Sequence, residues 1–145
     1  MVDPDTLLVH LRMVGGLMAC LVVVNAYVPR RYRWREEMAA LSLLNRQIFE
    51  AHAVFLMLTL ALLAVLLLGS PDALLERTRA SRALLIGLTV FWGLRMLMQW
   101  WFYSPAIWRG HRFNTAMHYF FSAAWVYTTA VFAAALWSNL LLPLP

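Results

Sequence analysis

Four long apolar runs constrain the fold of this 145-residue chain more than any other feature. The runs cover about residues 4–28, 48–68, 83–103 and 114–139. Each reaches the roughly twenty residues that an α-helix needs to cross about 30 Å of hydrocarbon. Because hydrocarbon offers no hydrogen-bond partners to the backbone, such runs are expected to be helical. The sequence therefore predicts an all-α protein with four transmembrane helices.

The composition agrees with a lipid environment. Hydrophobic residues make up 63% of the chain, against roughly 45–50% in a soluble domain. The connections between the runs are short, which favours antiparallel sequential neighbours in an up-and-down four-helix bundle. We therefore expect residues 1–145 to form a single integral membrane domain. The basic residues lie mainly in the connections, where they indicate topology rather than a nucleic-acid partner.

The arginines predict the orientation of the chain. All twelve basic residues are arginine, and loops one and three together contain seven of them, against three in loop two. The seven are Arg30, Arg31, Arg33, Arg35, Arg46, Arg109 and Arg112; the three are Arg77, Arg79 and Arg82, offset by Asp72 and Glu76. Since arginine is enriched in cytoplasmic loops, both termini are predicted on the non-cytoplasmic side. The acidic start of the chain is unlike a signal peptide, so the first helix is expected to be retained.

Capping residues and prolines predict where the helices begin and end. Asp3 is a suitable N-cap for the first helix, and Pro29 is expected to end it. The second helical pattern could begin as early as Glu36, since residues 36–47 contain no helix breaker. Asn114 is expected to cap the fourth helix.

Two polar faces inside the apolar runs predict a contact between helices three and four. Arg95 and Gln99 are one turn apart on helix three. A second stripe with spacings of three and four lies on helix four: Thr115, His118, Ser122, Trp125 and Thr129. Folding the two helices back about loop three sets Gln99 level with His118 and Arg95 level with Ser122. The two faces are therefore predicted to meet.

This polar set supports either a structural or a binding interpretation. Arg95 could extend along its helix to the headgroups, and the other groups could form ordinary interhelical hydrogen bonds. Alternatively, Arg95, Gln99, His118 and Ser122 would hold a lipid, a quinone or a partner helix in the cytoplasmic half of the bundle, with Trp92 and Trp125 as apolar walls. The sequence then predicts a non-enzymatic binding or structural subunit whose partners are the bilayer, other membrane subunits or further copies of itself.

Haem b is the one cofactor that the histidines suggest. His52 and His118 both lie on the predicted cytoplasmic side, and facing histidines in a helical bundle are common axial ligands of haem iron. A b-type electron-transfer subunit is therefore an alternative function. With Cys20 as its only cysteine, the chain predicts neither an intramolecular disulfide nor a cysteine-based metal site.

A membrane enzyme acting on a lipophilic substrate is the second alternative. The segment Ala51-His52-Ala53-Val54-Phe55 resembles the second-helix motif of the MAPEG family of glutathione-dependent membrane enzymes. Val54 and Met57 stand where that family places an asparagine and then a glutamate. No catalytic residue is therefore carried over from it.

The aromatic string of helix three carries a second resemblance. Residues 91–101, read FWGLRMLMQWW, followed by His118-Tyr119, are similar to a group of uncharacterised bacterial membrane proteins. This resemblance implies four helices and a bacterial inner-membrane location, and it implies no activity.

Overall fold

The computed structural model describes residues 3–141, and every regular element in that range is helical. The four long helices are α1 (Pro4–Arg31), α2 (Leu43–Gly69), α3 (Arg79–Trp101) and α4 (Arg112–Leu140). Short helices of three or four residues lie between them, at Trp34–Glu37, Met38–Ala40, Asp72–Leu75 and Pro105–Trp108. Each long helix is sufficiently long and apolar to cross a membrane, which indicates a multi-pass membrane protein.

The surfaces of the long helices are themselves apolar. Val23 on α1 and Val65 on α2 each expose 71% of their surface, and Leu94 on α3 exposes 58%. Large exposed apolar surfaces of this kind are rare on monomeric soluble proteins. The predicted number and type of long helices is confirmed, and the exposed side chains suit contact with hydrocarbon.

Helix α1 continues past the proline that was expected to end it. Pro29 lies inside the helix, and Tyr32 still donates its backbone N–H to the carbonyl of Val28 at 3.0 Å. A proline removes only its own backbone donor, so a final turn can follow it. Arg33, with a left-handed φ of 50°, marks the end of this segment. Asp3 caps the start as predicted, since its carboxylate accepts from the backbone N–H of Thr6 at 3.0 Å.

The other boundaries follow local caps that the apolar pattern did not reveal. Helix α2 begins at Leu43 because Ser42 caps it, accepting from the Asn45 N–H at 3.3 Å. Helix α3 begins at Arg79, after a reciprocal capping box between Thr78 and Ser81. These caps extend both helices beyond the predicted apolar spans.

The expected cap of helix α4 is wrong. Asn114 lies inside the helix and donates its side-chain amide to the carbonyl of Ile107 at 2.9 Å. His111 occupies the N-cap position, directly after Gly110, whose φ is 85°. The left-handed glycine turns the chain sharply, so the helix starts two residues before the asparagine.

The chain divides into two compact units. The first comprises residues up to Leu11 together with those from Asp72 onward, and the second comprises Arg12–Pro71. In the second unit, α1 and α2 approach each other closely at Gly15. A β-carbon built on Gly15 would lie 2.9 Å from the Leu67 β-carbon, so only glycine fits there without a shift.

In the first unit, α3 packs along α4. The buried side chains of these two helices include Leu85, Trp92, Trp125, Phe132 and Ala135. At the end of the unit remote from loop three, the Arg82 side chain donates to the side-chain oxygen of Asn139 at 3.0 Å. The Asn139 amide in turn donates to the Glu76 carbonyl at 2.9 Å, joining the connection before α3 to the end of α4.

Candidate functional site

The polar face of α3 is held together by a bond within the helix. The Arg95 guanidinium donates to the side-chain oxygen of Gln99 at 3.2 Å, as the spacing of four residues allows. Gln99 is buried, at 5% exposure, and Arg95 is half-buried. Since α3 ends at Trp101, the arginine backbone lies six residues, or about 9 Å, from that helix end.

The predicted contact between the two polar faces is confirmed. The side-chain nitrogen of Gln99 lies 3.2 Å from Nδ1 of His118 on α4. The indole N–H of Trp125, also on α4, donates to the Gln99 oxygen at 3.2 Å. We call Arg95, Gln99, His118 and Trp125 the arginine cluster. Gln99 is its centre, because it contacts the other three members.

The hydrogen bonds of the arginine cluster fix the orientation of the Gln99 amide. Arg95 and Trp125 can only donate, so the atom that both of them contact must be the amide oxygen. The amide nitrogen therefore faces His118 and donates to Nδ1, which must be unprotonated. The proton of the neutral imidazole then lies on Nε2. His118 thus offers a donor, not a lone pair, at its remaining nitrogen.

Aromatic rings frame the arginine cluster. The Arg95 guanidinium carbon lies 4.8 Å from the centre of the Trp125 ring, within the range of a cation–π contact. Trp125 stacks on Trp92 at 5.1 Å, and both are buried. Trp108, in the short helix of loop three, stacks on the His118 ring at 4.3 Å with an angle of 3°. The rings therefore restrict the rotation of the Arg95 and His118 side chains.

The guanidinium extends toward the end of α3 that adjoins loop three. Its central carbon lies 5.9 Å from the ring centre of Tyr103, eight residues further along the chain. The arginine side chain therefore reaches along the helix while it contacts Gln99 and Trp125. The predicted contact with α4 is therefore present, and the extension of Arg95 to the headgroups stays a prediction.

Ser122 lies next to the arginine cluster without supplying a donor to it. Its hydroxyl donates to the His118 carbonyl at 2.8 Å, within α4. Thr129 likewise donates to the Trp125 carbonyl at 2.8 Å. A hydroxyl has one hydrogen to donate, so Ser122 could offer a ligand only its oxygen lone pairs.

No carboxylate of the described residues balances the charge of Arg95. The seven acidic residues of the chain all lie at or before Glu76, so α3, loop three and α4 contain none. Within residues 3–141, Arg95 makes no ion pair within 4.0 Å. The guanidinium is therefore solvated by an amide oxygen and aromatic faces alone within this part of the chain.

The two histidines of the haem hypothesis carry a hydrogen on different ring nitrogens. A metal-bound histidine coordinates through one nitrogen and donates the proton on the other. His52 fits this arrangement, since its Nδ1 lies 2.7 Å from the Ile48 carbonyl and must donate to it. His118 does not, because its Nδ1 accepts from Gln99. Iron at Nε2 of His118 would require the Gln99 amide to turn away from Arg95 and Trp125.

The sequence did not single out two polar features of the spans. The Nδ1 atom of His10 lies 2.8 Å from the hydroxyl of Tyr127 on α4. Arg12, on α1, is exposed although it lies eight residues inside a candidate span. The sequence does signal Arg12, because it is an arginine within an apolar run. The contact between His10 and Tyr127 depends on how α1 and α4 are placed, which the sequence does not show.

Buried donors without partners occur next to the arginine cluster. The indole N–H groups of Trp92 and Trp108 and the hydroxyl of Thr128 are buried and make no hydrogen bond within the described range. An open depression of about 440 Å³ lies near loop three, lined by Gly110, Arg112, Thr115, Ala116 and Tyr119. Arg112 is the one charged residue that lines this depression, and no member of the arginine cluster lines it. The depression is therefore separate from the candidate site.

Comparison with known protein families, curated proteins and solved structures finds no match to this chain.

Proposed function

We propose that this protein is a non-enzymatic component of a bacterial inner membrane that holds a lipophilic molecule or a partner helix at the arginine cluster. One observation carries the proposal: a guanidinium within a candidate span is fixed by Gln99 and Trp125, yet no acidic residue follows Glu76 in the chain. An arginine costs about 2.5–3.5 kcal/mol at the centre of a transmembrane helix, and Arg95, six residues from the end of α3, lies between that depth and the helix end. A guanidinium that makes no ion pair within residues 3–141 suits the recognition of an external group.

The proposed architecture is an up-and-down four-helix bundle with loops one and three in the cytoplasm. The connections at residues 32–42, 70–78 and 102–111 are too short for a further span, so successive long helices alternate in direction across the bilayer. The arginine cluster then lies in the cytoplasmic half. Alkaline phosphatase fused after residue 141 should be active in the bacterial periplasm, and the same reporter fused at Arg109 should be inactive. The reverse pattern would invert the proposed orientation.

The binding role is tested by what the purified protein retains. Full-length protein, extracted in a mild detergent, should carry a lipophilic molecule or a second polypeptide that mass spectrometry of the organic extract and of the intact complex detects. Arg95→Ala and His118→Ala should each reduce its retention. Cys20→Ala, on α1, is a control outside the cluster and should retain it. If both cluster variants keep the same ligand and the same assembly as the unmodified protein, the proposed role is wrong.

Visible absorption of the same sample tests the haem alternative. The hydrogen bond from Gln99 to Nδ1 of His118 argues for a sample without the Soret band of bound haem. A Soret band abolished by both His52→Ala and His118→Ala would restore the electron-transfer function.

A further inference from the structure

We infer that the arginine cluster binds the phosphate of an anionic membrane phospholipid. The inference rests on the proposed function and narrows its ligand to one chemical class.

The hydrogen-bonding groups of the arginine cluster that are still available to a ligand are mainly donors. Arg95 carries five N–H groups and uses one on Gln99. His118 presents Nε2–H, because Gln99 occupies its Nδ1. The Gln99 oxygen, the acceptor among these side chains, already receives two hydrogen bonds. A complementary ligand must therefore supply acceptors, and a phosphate presents several oxygens without a competing donor.

Charge distinguishes an anionic ligand from a neutral acceptor such as a quinone carbonyl. The last acidic residue before α3 is Glu76, and Arg95 lies sixteen residues beyond Arg79, about 24 Å along the helix. That carboxylate is therefore remote from the guanidinium along the axis of α3. A neutral carbonyl would accept a hydrogen bond and leave the positive charge unbalanced. An anion satisfies both the donors and the charge.

The depth of the guanidinium favours a lipid headgroup over a carboxylate on another helix. The side chain extends to within 5.9 Å of the Tyr103 ring, beyond the last residue of α3. Tyr103 is exposed, and exposed Trp101 and Phe102 precede it. Aromatic residues of this kind mark the level of the headgroups. Phosphates are present at that level in every phospholipid bilayer, so they can balance the charge of Arg95 without a dedicated partner protein.

Aromatic packing pre-organises the guanidinium for a phosphate. The guanidinium carbon lies 4.8 Å from the centre of the Trp125 ring, and four of its five N–H groups remain for other hydrogen bonds. The planar edge of arginine matches two oxygens of a phosphate at once. The neighbouring His118 ring is held by Trp108 at 4.3 Å, so a second donor is also fixed in place.

Gln99→Glu is the sharpest test, because it supplies the missing carboxylate four residues from Arg95. Native mass spectrometry of the full chain in detergent would measure binding of phosphatidylglycerol and phosphatidylcholine. The unmodified protein should prefer the anionic lipid by on the order of tenfold. Gln99→Glu and Arg95→Gln should each remove that preference. Arg35→Gln, which deletes the same charge from an exposed position in loop one, should leave it within about twofold.

Arg95→Lys keeps the inference testable if Arg95→Gln does not fold. It preserves the charge and loses the planar edge, so it should retain only part of the preference for the anionic lipid. Circular dichroism would establish that each variant is helical before its lipid binding is compared. An excess of inorganic phosphate should not displace the lipid; displacement would make free phosphate the ligand and overturn the inference.

Other outcomes separate the inference from the proposed function. Retention of a neutral lipophile, or of a second polypeptide, that depends on Arg95 would overturn the lipid phosphate and leave the proposed function intact. Equal losses in Arg95→Gln and Arg35→Gln would reduce the lipid preference to general attraction to a basic surface and overturn the inference. If Arg95→Gln alters the binding of no lipid, lipophile or polypeptide, both conclusions fail.

Discussion

Replacing Gln99 with leucine would remove the centre of the arginine cluster. The two side chains are similar in size, so the main change is the loss of three hydrogen bonds. Arg95 and Trp125 would lose their shared acceptor, and Nδ1 of His118 would lose its donor. Gln99 is 5% exposed, so water has little access to replace these bonds.

The expected loss of stability follows from the types of these bonds. A bond from a charged donor contributes about 1.5–3 kcal/mol, and a neutral bond about 0.5–1.5 kcal/mol. Interhelical hydrogen bonds measured inside a membrane protein average only about 0.6 kcal/mol, because the unfolded chain also finds partners there. Three bonds then give a range from about 2 to about 6 kcal/mol. We favour the lower half, about 2–4 kcal/mol, since the membrane values describe the more similar reference state.

Reversible unfolding in mixed micelles, followed by circular dichroism, would measure this free energy. Gln47→Leu provides a matched control, because Gln47 is an exposed glutamine on α2 and the same substitution there breaks no such network. The control should change the free energy of unfolding by less than about 0.5 kcal/mol. If Gln99→Leu costs less than about 1 kcal/mol, or no more than the control, the cluster does not hold α3 to α4.

Three further outcomes are expected. Gly15→Ala should be less stable than Gly16→Ala by about 1–3 kcal/mol in the same unfolding assay, because a β-carbon at 15 meets Leu67 at 2.9 Å and one at 16 meets nothing within 4 Å; equal stabilities would contradict the close approach. Asn139→Ala should cost about 1–3 kcal/mol through its two side-chain bonds, and a neutral result would remove their structural role. Nitrogen NMR of His118 should show Nδ1 unprotonated and Nε2 protonated; the opposite tautomer would refute the assigned amide orientation.

The sequence was sufficient for the helices and for one tertiary contact. Runs of about twenty apolar residues allow few structures other than helices, so the number of long helices follows from hydropathy. The contact between Gln99 and His118 was also predictable, since a helical hairpin pairs residues equidistant from its turn. Both inferences depend on backbone periodicity, which the residue types reveal directly.

Helix ends and the details of the arginine cluster depend on individual atoms. Pro29 does not end α1, because a proline removes only its own backbone donor. The turn after it still forms the hydrogen bond from Tyr32 to Val28. Asn114 does not cap α4, because its side chain reaches the Ile107 carbonyl instead. The role of Gln99 as a double acceptor, and the stacking of Trp108 on His118, arise from side-chain rotamers that spacing does not determine.

The identity of residue 95 as arginine carries no information by itself, because every basic residue in this chain is arginine. Its geometry does carry information. The guanidinium carbon lies 4.8 Å from the centre of the Trp125 ring, and one guanidinium nitrogen donates to the Gln99 oxygen at 3.2 Å. A lysine ammonium could approach either group, but it has no flat face with a separate hydrogen-bonding edge. The guanidinium carbon also lies 5.9 Å from the ring centre of Tyr103, which places the group near the end of α3. We expect this placement, together with the charge, to decide whether the proposed site prefers the phosphate of an anionic lipid over a neutral acceptor.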